Sequence, residues 1–377
     1  MFRWKRFFLP LAILAALLPC PAPACSLCGG ALQQSPTLRQ EAAQPNARMI
    51  LFGPIQNVRG ATSTELTIEA ALRSDPVIAG KKVLDLGRYL PADAKNPPRF
   101  LIFCDIIKDK VDAYRGVPIR SAEGLEYVKK ALALNPKDAA GNLDFYFHYL
   151  EHPDKEIAFD AFLEFVRAND QQIGQASGKL SAEKLRGWLK DPQTPPERLS
   201  LYAFLLGGCG GDADAAFLTT QLKDDGERTV NAYDGYLGGY IHLRPREGWE
   251  TVVSVLRDGR KPLPVRLAVV RTVRMYHGWK PKESRDDVLK SLAAMIGQGE
   301  LADVAIEDLR RWQMWDLTPD VLGLYGKKGF DAPIMQRAIV RYGLSCTEET
   351  ATKFIAERRR SEPDLVKEVE DSLQFEK

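Results

Sequence analysis

The chain has 377 residues, enough for two or three domains with substantial cores. Its 52 lysines and arginines stand against 50 aspartates and glutamates, with the two signs intermixed. That balance excludes the basic footprint of a nucleic-acid binder. The one dense basic run, "ERRRSE" (357–362), is flanked by glutamates and reads as a solvated helix face.

The sequence opens "MFRWKRFFLPLAILAALLPCPAPAC". Arg3, Lys5 and Arg6 precede an apolar run from Phe7 to Leu18, and Ala22-Pro23-Ala24 follows as a small-x-small stretch. This order predicts a signal peptide over residues 1–24, cleaved after Ala24. The apolar run is too short for a stable membrane span. The protein is therefore expected outside the cytoplasm, secreted or in the periplasm or cell envelope. Cleavage makes Cys25 the new N-terminus, which raises a lipid anchor there. The preceding "APA" lacks the large aliphatic residue that lipoprotein processing wants three places upstream, so ordinary export is expected.

Residues 46–119 read as strands: 47–58, 62–74, 81–90, 97–107 and 109–119. These runs are rich in Val, Ile, Leu and Phe and are separated by Gly, Pro, Asn and Asp. Five short strands in so short a span predict a small closed or partly closed barrel of the oligonucleotide/oligosaccharide-binding type. A helix over 121–134, with Ser121 at its N-cap, closes this first domain, residues 25–140.

Past about residue 140 the period becomes helical. Helices are predicted over 142–151, 154–169, 181–190, 196–207, 212–223, 230–242 and 245–258. They continue over 264–276, 284–298, 302–313, 317–327, 332–343, 347–359 and 362–374. Several open with Pro before an apolar, Arg-bearing stretch: "PDKEIAFDAF" (153–162), "PPERLSLYAF" (195–204), "PVRLAVVRTV" (264–273) and "PIMQRAIVRY" (333–342). Pro suits a first helical turn, where its missing N–H costs nothing. Pro153, Pro196, Pro264 and Pro333 are 43, 68 and 69 residues apart, and helix pairs recurring every 30–45 residues are the pattern of an α-solenoid. "PVRLAVVRTV" resembles the opening helix of a HEAT unit, and residues 142–375 as a whole are similar to HEAT and armadillo-type repeat proteins. The resemblance implies a stacked helical superhelix over domain 141–377, with a concave binding face and no catalysis.

The "CSLCGG" that follows the signal, with a small β-domain behind it, is similar to netrin-like modules, which include the tissue inhibitors of metalloproteases. Only Cys25 matches that family's leading cysteine, because the family opens with C-x-C where C-x-x-C stands here. The resemblance implies an inhibitor acting through the Cys25 amine and carbonyl.

"FHYLEHPD" (147–154) spells H-x-x-E-H with His148, Glu151 and His152, the inverted zincin signature, and Glu227 falls where a third ligand would stand. Such a site needs its three side chains on one helix face. Pro153 pushes His152 out of the helical region, so an inter-helix turn is expected instead of a zinc site. Cys25 and Cys28 form a C-x-x-C with no second pair for zinc and no histidine after Cys28 for haem. A structural disulfide from Cys25 or Cys28 to Cys104 is expected in an oxidising compartment, with Cys209 and Cys346 buried and free. The glycines of "LLGGCGGDAD" (205–214) lack the Lys-Ser/Thr of a phosphate loop and read as a helix end and turn.

Tyr236, Tyr240, Trp249, Trp312 and Trp315, with Arg310 and Arg311 beside Trp312, are the residue types that anchor interfaces, and these aromatics with Arg311 are the interface candidates. Altogether the sequence predicts an exported α+β protein, a small N-terminal β-barrel followed by a HEAT-like helical solenoid. It is expected to be a non-enzymatic binding or scaffold protein with an unidentified protein partner, no cofactor, no metal and no nucleic acid. The alternatives are a zinc-dependent hydrolase at His148, His152 and Glu227, and a netrin-like metalloprotease inhibitor.

Overall fold

The computed structural model describes residue 27, residues 35–57 and residues 63–376. The predicted signal peptide, Cys25 and Cys28 lie outside the described residues. The protein is mixed α+β, with one small antiparallel sheet followed by a long run of helices.

Six strands make the sheet: β1 (Met49–Asn57), β2 (Thr64–Thr67), β3 (Ala70–Arg73), β4 (Val83–Asp85), β5 (Arg99–Ile107) and β6 (Lys110–Pro118). Their order is β4-β2-β1-β5-β6, with β3 on the same edge of β1 as β2. Among the described residues β4 and β6 stand at opposite ends without pairing, so the sheet is open where a closed or partly closed barrel was expected. The physical reason lies after β4. Residues 86–98 hold Pro91, Pro97 and Pro98, which cannot donate to a ladder, and the segment crosses the sheet's face with Leu86 and Leu90 packed down. The stretch 62–74 is two strands because the backbone bends over Gly53. A Cβ there would lie 1.8 Å from the Thr67 carbonyl oxygen, so only glycine fits.

Alternation along β1 and β5 gives the sheet two apolar faces. Ile50, Phe52, Leu101 and Phe103 face the helices, together with Tyr127 and Val128 of α2 (Ala122–Ala133). Met49, Leu51, Ile102 and Cys104 form a second, smaller core under Ile78, Leu84 and Leu86. A bulge in β6 pairs Phe103 with Arg115 and Cys104 with Ala113, leaving Tyr114 extra. Tyr114 and Arg115 both reach Glu41 of α1 (Leu38–Ala42): the Tyr114 hydroxyl donates at 2.9 Å and Arg115 forms an ion pair.

The helical part contains α3 (Ala139–Phe147), α4 (Lys155–Arg167), α5 (Asp170–Ser177), α6 (Ala182–Lys190), α7 (Pro196–Cys209) and α8 (Asp212–Gln221). It continues with α9 (Glu227–Val230), α10 (Tyr233–Leu243), α11 (Pro245–Arg257), α12 (Leu263–Trp279), α13 (Arg285–Ile296) and α14 (Ala302–Arg311). Then come α15 (Thr318–Leu322), α16 (Pro333–Ser345), α17 (Glu349–Ser361) and α18 (Pro363–Gln374). Each predicted helical segment meets one of these, with 317–327 shortened to α15. Pro196, Pro264 and Pro333 sit in first turns as expected, but Pro153 lies just outside α4, where Asp154 is the N-cap. Helix α5 was not expected. It has one large aliphatic residue, Ile173, and is started by a capping box between Asn169 and Gln172.

The α1 segment is strapped onto α4. The Leu38 amide donates to Asp160 Oδ1 at 2.7 Å, Arg39 pairs with Glu164 at 2.9 Å, and Arg167 donates to the Ser35 carbonyl at 2.6 Å. Further along, α7 packs on α10, α10 on α12, α14 on α16 and α16 on α18, while α11 packs on α13. Polar ties join these neighbours at separations of 31 to 38 residues: Ser200 to Asp234, Arg271 to Asp234, Arg274 to Asp308, Arg337 to Glu368 and Tyr276 to the Gly238 carbonyl. The main hydrophobic core is continuous from Leu27 to Ala351, through the sheet and the helices alike. Among the described residues no helix is long and apolar enough to cross a membrane.

Candidate functional site

Helix α3 ends at Phe147, so the H-x-x-E-H stretch occupies the turn before α4. His148 is the exposed C-cap. Glu151 accepts a hydrogen bond from the Tyr202 hydroxyl at 2.6 Å and pairs with Arg198 at 3.1 Å. His152 Nδ1 accepts from the Asp154 amide at 3.0 Å, which spends that nitrogen on the turn. Glu227 is the first residue of α9. Among the described residues no three His, Cys, Asp or Glu side chains are grouped to hold a metal ion.

Cys104 is a free thiol among the described residues, and its expected partners Cys25 and Cys28 lie outside them. Its side chain points into the small core, whereas Leu27, next to Cys28, packs on the opposite, helix-facing side of the sheet. Burial, reinforced by the nearby Asp112, pushes the Cys104 thiol up to about 12, so it stays protonated and unreactive. Cys209 and Cys346 are also free; Cys346 is buried and Cys209 half-buried.

The aromatic candidates separate by burial. Tyr236, 2% exposed, and Trp249, 7% exposed, are core residues, and Trp249 also borders a groove of about 980 Å³ along α11. Tyr240 is half-buried against the same core. Trp312 is half-buried and stacks on His277 at 3.8 Å, while Trp315 meets Tyr342 edge-on at 5.1 Å.

Arg311 and Trp315 line a groove along the seam between α14 and α16. Its upper part, about 490 Å³, lies among Arg274, Val304, Glu307, Ile334, Arg337 and Arg341. Its lower part, about 580 Å³, lies among Arg310, Gln313, Trp315, Ser345 and Glu376, and Arg311 borders both. Trp315 is turned into the seam by the end of α14. There the Met314 amide donates to the Leu309 carbonyl at 2.9 Å, and Gln313 takes φ 55°, a left-handed position usually held by glycine.

Two guanidinium groups converge on one carboxylate in this groove. Glu307 accepts from Arg310 at 2.6 and 3.0 Å and from Arg311 at 2.8 Å. Burial opposes the Glu307 charge, but Arg310 and Arg311 outweigh it and hold the carboxyl below its ordinary range. Arg310 also pairs with Glu376 at 2.7 Å. Ile334 stands 64% exposed in the first turn of α16, and Leu263 and Leu267 are exposed on α12, two and one turns from Arg271 on the stripe that leads to Arg274.

Sequence reasoning found Arg310, Arg311 and Trp315 in this groove but missed Arg274, Ile334, Arg337, Arg341 and Glu376. The one available signal was the stripe Ile334, Arg337, Arg341 at helical spacing on α16. Compared with known proteins, the sequence matches no family model, no curated protein and no solved structure.

Proposed function

We propose that the protein is an exported, non-enzymatic binding protein, whose helical part is a HEAT-like solenoid and whose α12–α14–α16 face takes a segment of a protein partner. The observation that carries this reading is the exposure of large aliphatic side chains, Ile334 above all, among guanidinium groups on successive helices of the stack. Exposed aliphatics beside arginine are the ingredients of a protein interface. Guanidinium and aliphatic groups bind, and neither supplies a nucleophile or a proton carrier near neutral pH. The polar ties between helices 31 to 38 residues apart support the solenoid reading, since stacked units touch mainly their neighbours.

The test places a photo-crosslinking amino acid at position 334 and, as a control, at the exposed Phe159 on α4, in protein exported by its own cell. One partner captured from 334, absent from 159 and reduced by Arg337→Glu, is the expected result. Capture that is equal from both positions, or absent from 334, overturns the binding face. Mass spectrometry of the same exported protein reads export directly: a polypeptide beginning at Cys25 is expected, and a retained 1–24 segment overturns it.

A further inference from the structure

Two of the five arginines in the groove have a carboxylate of their own. Arg274 donates two hydrogen bonds to Asp308 on α14, at 2.9 and 3.2 Å, and Arg337 two to Glu368 on α18, at 2.8 and 3.3 Å. The Arg310–Arg311 pair does not: within its own helix both share Glu307. Arg341, which faces the same groove from α16, has only the neutral Ser372 hydroxyl at 3.4 Å among the described residues, and its Nε is buried with no hydrogen-bond partner. Asp303, one turn before Glu307, is the remaining acid on that wall. The seam thus concentrates positive charge around Arg311 beyond what its own helices neutralise.

The missing carboxylate arrives from past the end of α18. Glu376 reaches Arg310, whose side chain is only 10% exposed, while Phe375 beside it is 92% exposed. The segment is held there by an ion pair without a buried apolar anchor. An ion pair of this kind is a weak hold.

We propose that the Arg310–Arg311–Arg341 end of the groove is a carboxylate-binding subsite for an acidic, aliphatic segment of the partner, and that Glu376 fills it until that segment displaces it. The inference rests on the binding face described above and names the chemistry of its occupant. An extended segment alternating acid and aliphatic residues sets a carboxylate on Arg311 and an aliphatic side chain on Ile334 or the Trp315 ring. Residues 375 and 376 act as an intramolecular competitor.

The experiment measures fluorescence anisotropy of labelled eight-residue peptides with the whole exported protein at low ionic strength. The probes are a repeating Glu-Leu peptide and a repeating Gln-Leu control. Glu-Leu is expected to bind, with Gln-Leu at least about tenfold weaker. Arg311→Glu is expected to weaken Glu-Leu binding by at least about tenfold, and Glu376→Gln to tighten it about two- to fivefold, the worth of a half-exposed ion pair. Unchanged thermal midpoints establish that both variants fold, since both side chains lie at the surface. Equal binding of the two probes, indifference to Arg311→Glu, or equally effective competition by a single-stranded oligonucleotide overturns the carboxylate subsite. No change with Glu376→Gln overturns the competitor role. If the partner still crosslinks from position 334 in the Arg311→Glu protein, the subsite fails and the binding face stands; if the crosslink is absent from the unsubstituted protein as well, both fail.

Discussion

Asp160 is enclosed beneath the α1 strap, where its carboxylate accepts from the Leu38 amide and from the Tyr127 hydroxyl at 2.6 Å. Burial raises its pKa to about 6, against the lowering effect of those two hydrogen bonds, and neighbouring Glu164 adds to the rise. Between about pH 4 and 6 the folded protein keeps this proton while the unfolded one has lost it. The contribution of Asp160 to stability therefore falls as pH rises through that window and is level above it. Asp160→Asn keeps an oxygen for Leu38 and cannot ionise. Relative to the original protein it is expected to gain roughly 2–3 kcal/mol between pH 4 and pH 7.5. Urea midpoints of both proteins at the two pH values check this; parallel pH profiles would remove the assignment. Glycines offer a second contrast. A Cβ on Gly235 would lie 1.9 Å from the Ser200 carbonyl oxygen, so Gly235→Ala must part α7 from α10 and is expected to cost about 1–3 kcal/mol. At Gly187, exposed in α6 with open space around it, Ala is expected to stabilise by about 0.5–1 kcal/mol. Thermal denaturation of the two variants should shift in opposite directions.

Helices α7, α10 and α12 are joined at one buried carboxylate. Asp234 on α10, 1% exposed, accepts from Ser200 on α7 at 2.6 Å and pairs with Arg271 on α12, while Thr272 donates to its carbonyl at 3.0 Å. Removing the acid leaves a half-buried guanidinium and a buried hydroxyl without it. Asp234→Ala is expected to cost about 3 kcal/mol by denaturant unfolding, and Arg271→Ala less, because Ser200 and the Gly235 amide still serve the carboxylate. Equal costs would place the tie elsewhere. This junction also shows what the sequence could and could not tell. Prolines and helical periodicity located most helices, because those signals are local. The glycines of 205–214 read as a helix end and turn, which holds for Gly210 and Gly211, but Gly207 lies inside α7 because Gly239 of α10 crosses there. Tyr236 and Trp249 carry the residue type of an interface, yet their burial is decided by α7 and α12 neighbours that no local pattern reveals. The groove was legible only at Arg310, Arg311 and Trp315, since Ile334, Arg341 and Glu376 come to it from other helices. The open sheet was equally hidden: strand existence is local, but closure depends on how residues 86–98 cross the face.

Over the whole molecule, the boundary near residue 140 is a change of secondary structure within one core. Tyr127 of α2 stacks on Phe145 of α3 at 5.6 Å and meets Tyr149 edge-on at 4.7 Å, so aromatic packing crosses that boundary. A fragment of residues 25–140 loses one wall of its apolar core and is expected not to fold alone. The intact protein is expected to unfold in one transition. Calorimetry of the whole protein and near-ultraviolet circular dichroism of the fragment decide the point; two separated transitions, or a rigid fragment, would show two independent units.

The α1 strap has a consequence for the order in which structure forms. Its bonds to α4 span 122, 125 and 132 residues, whereas the ties between stacked helices span about a quarter of that. Contacts distant along the sequence form late, because their loop-closure entropy must be met first. A ribosome releases residues 35–42 long before α4, so the strap waits, undocked, until roughly 125 further residues have emerged. Residues 35–42, synthesised before the sheet and the helices, are thus among the last to find their place.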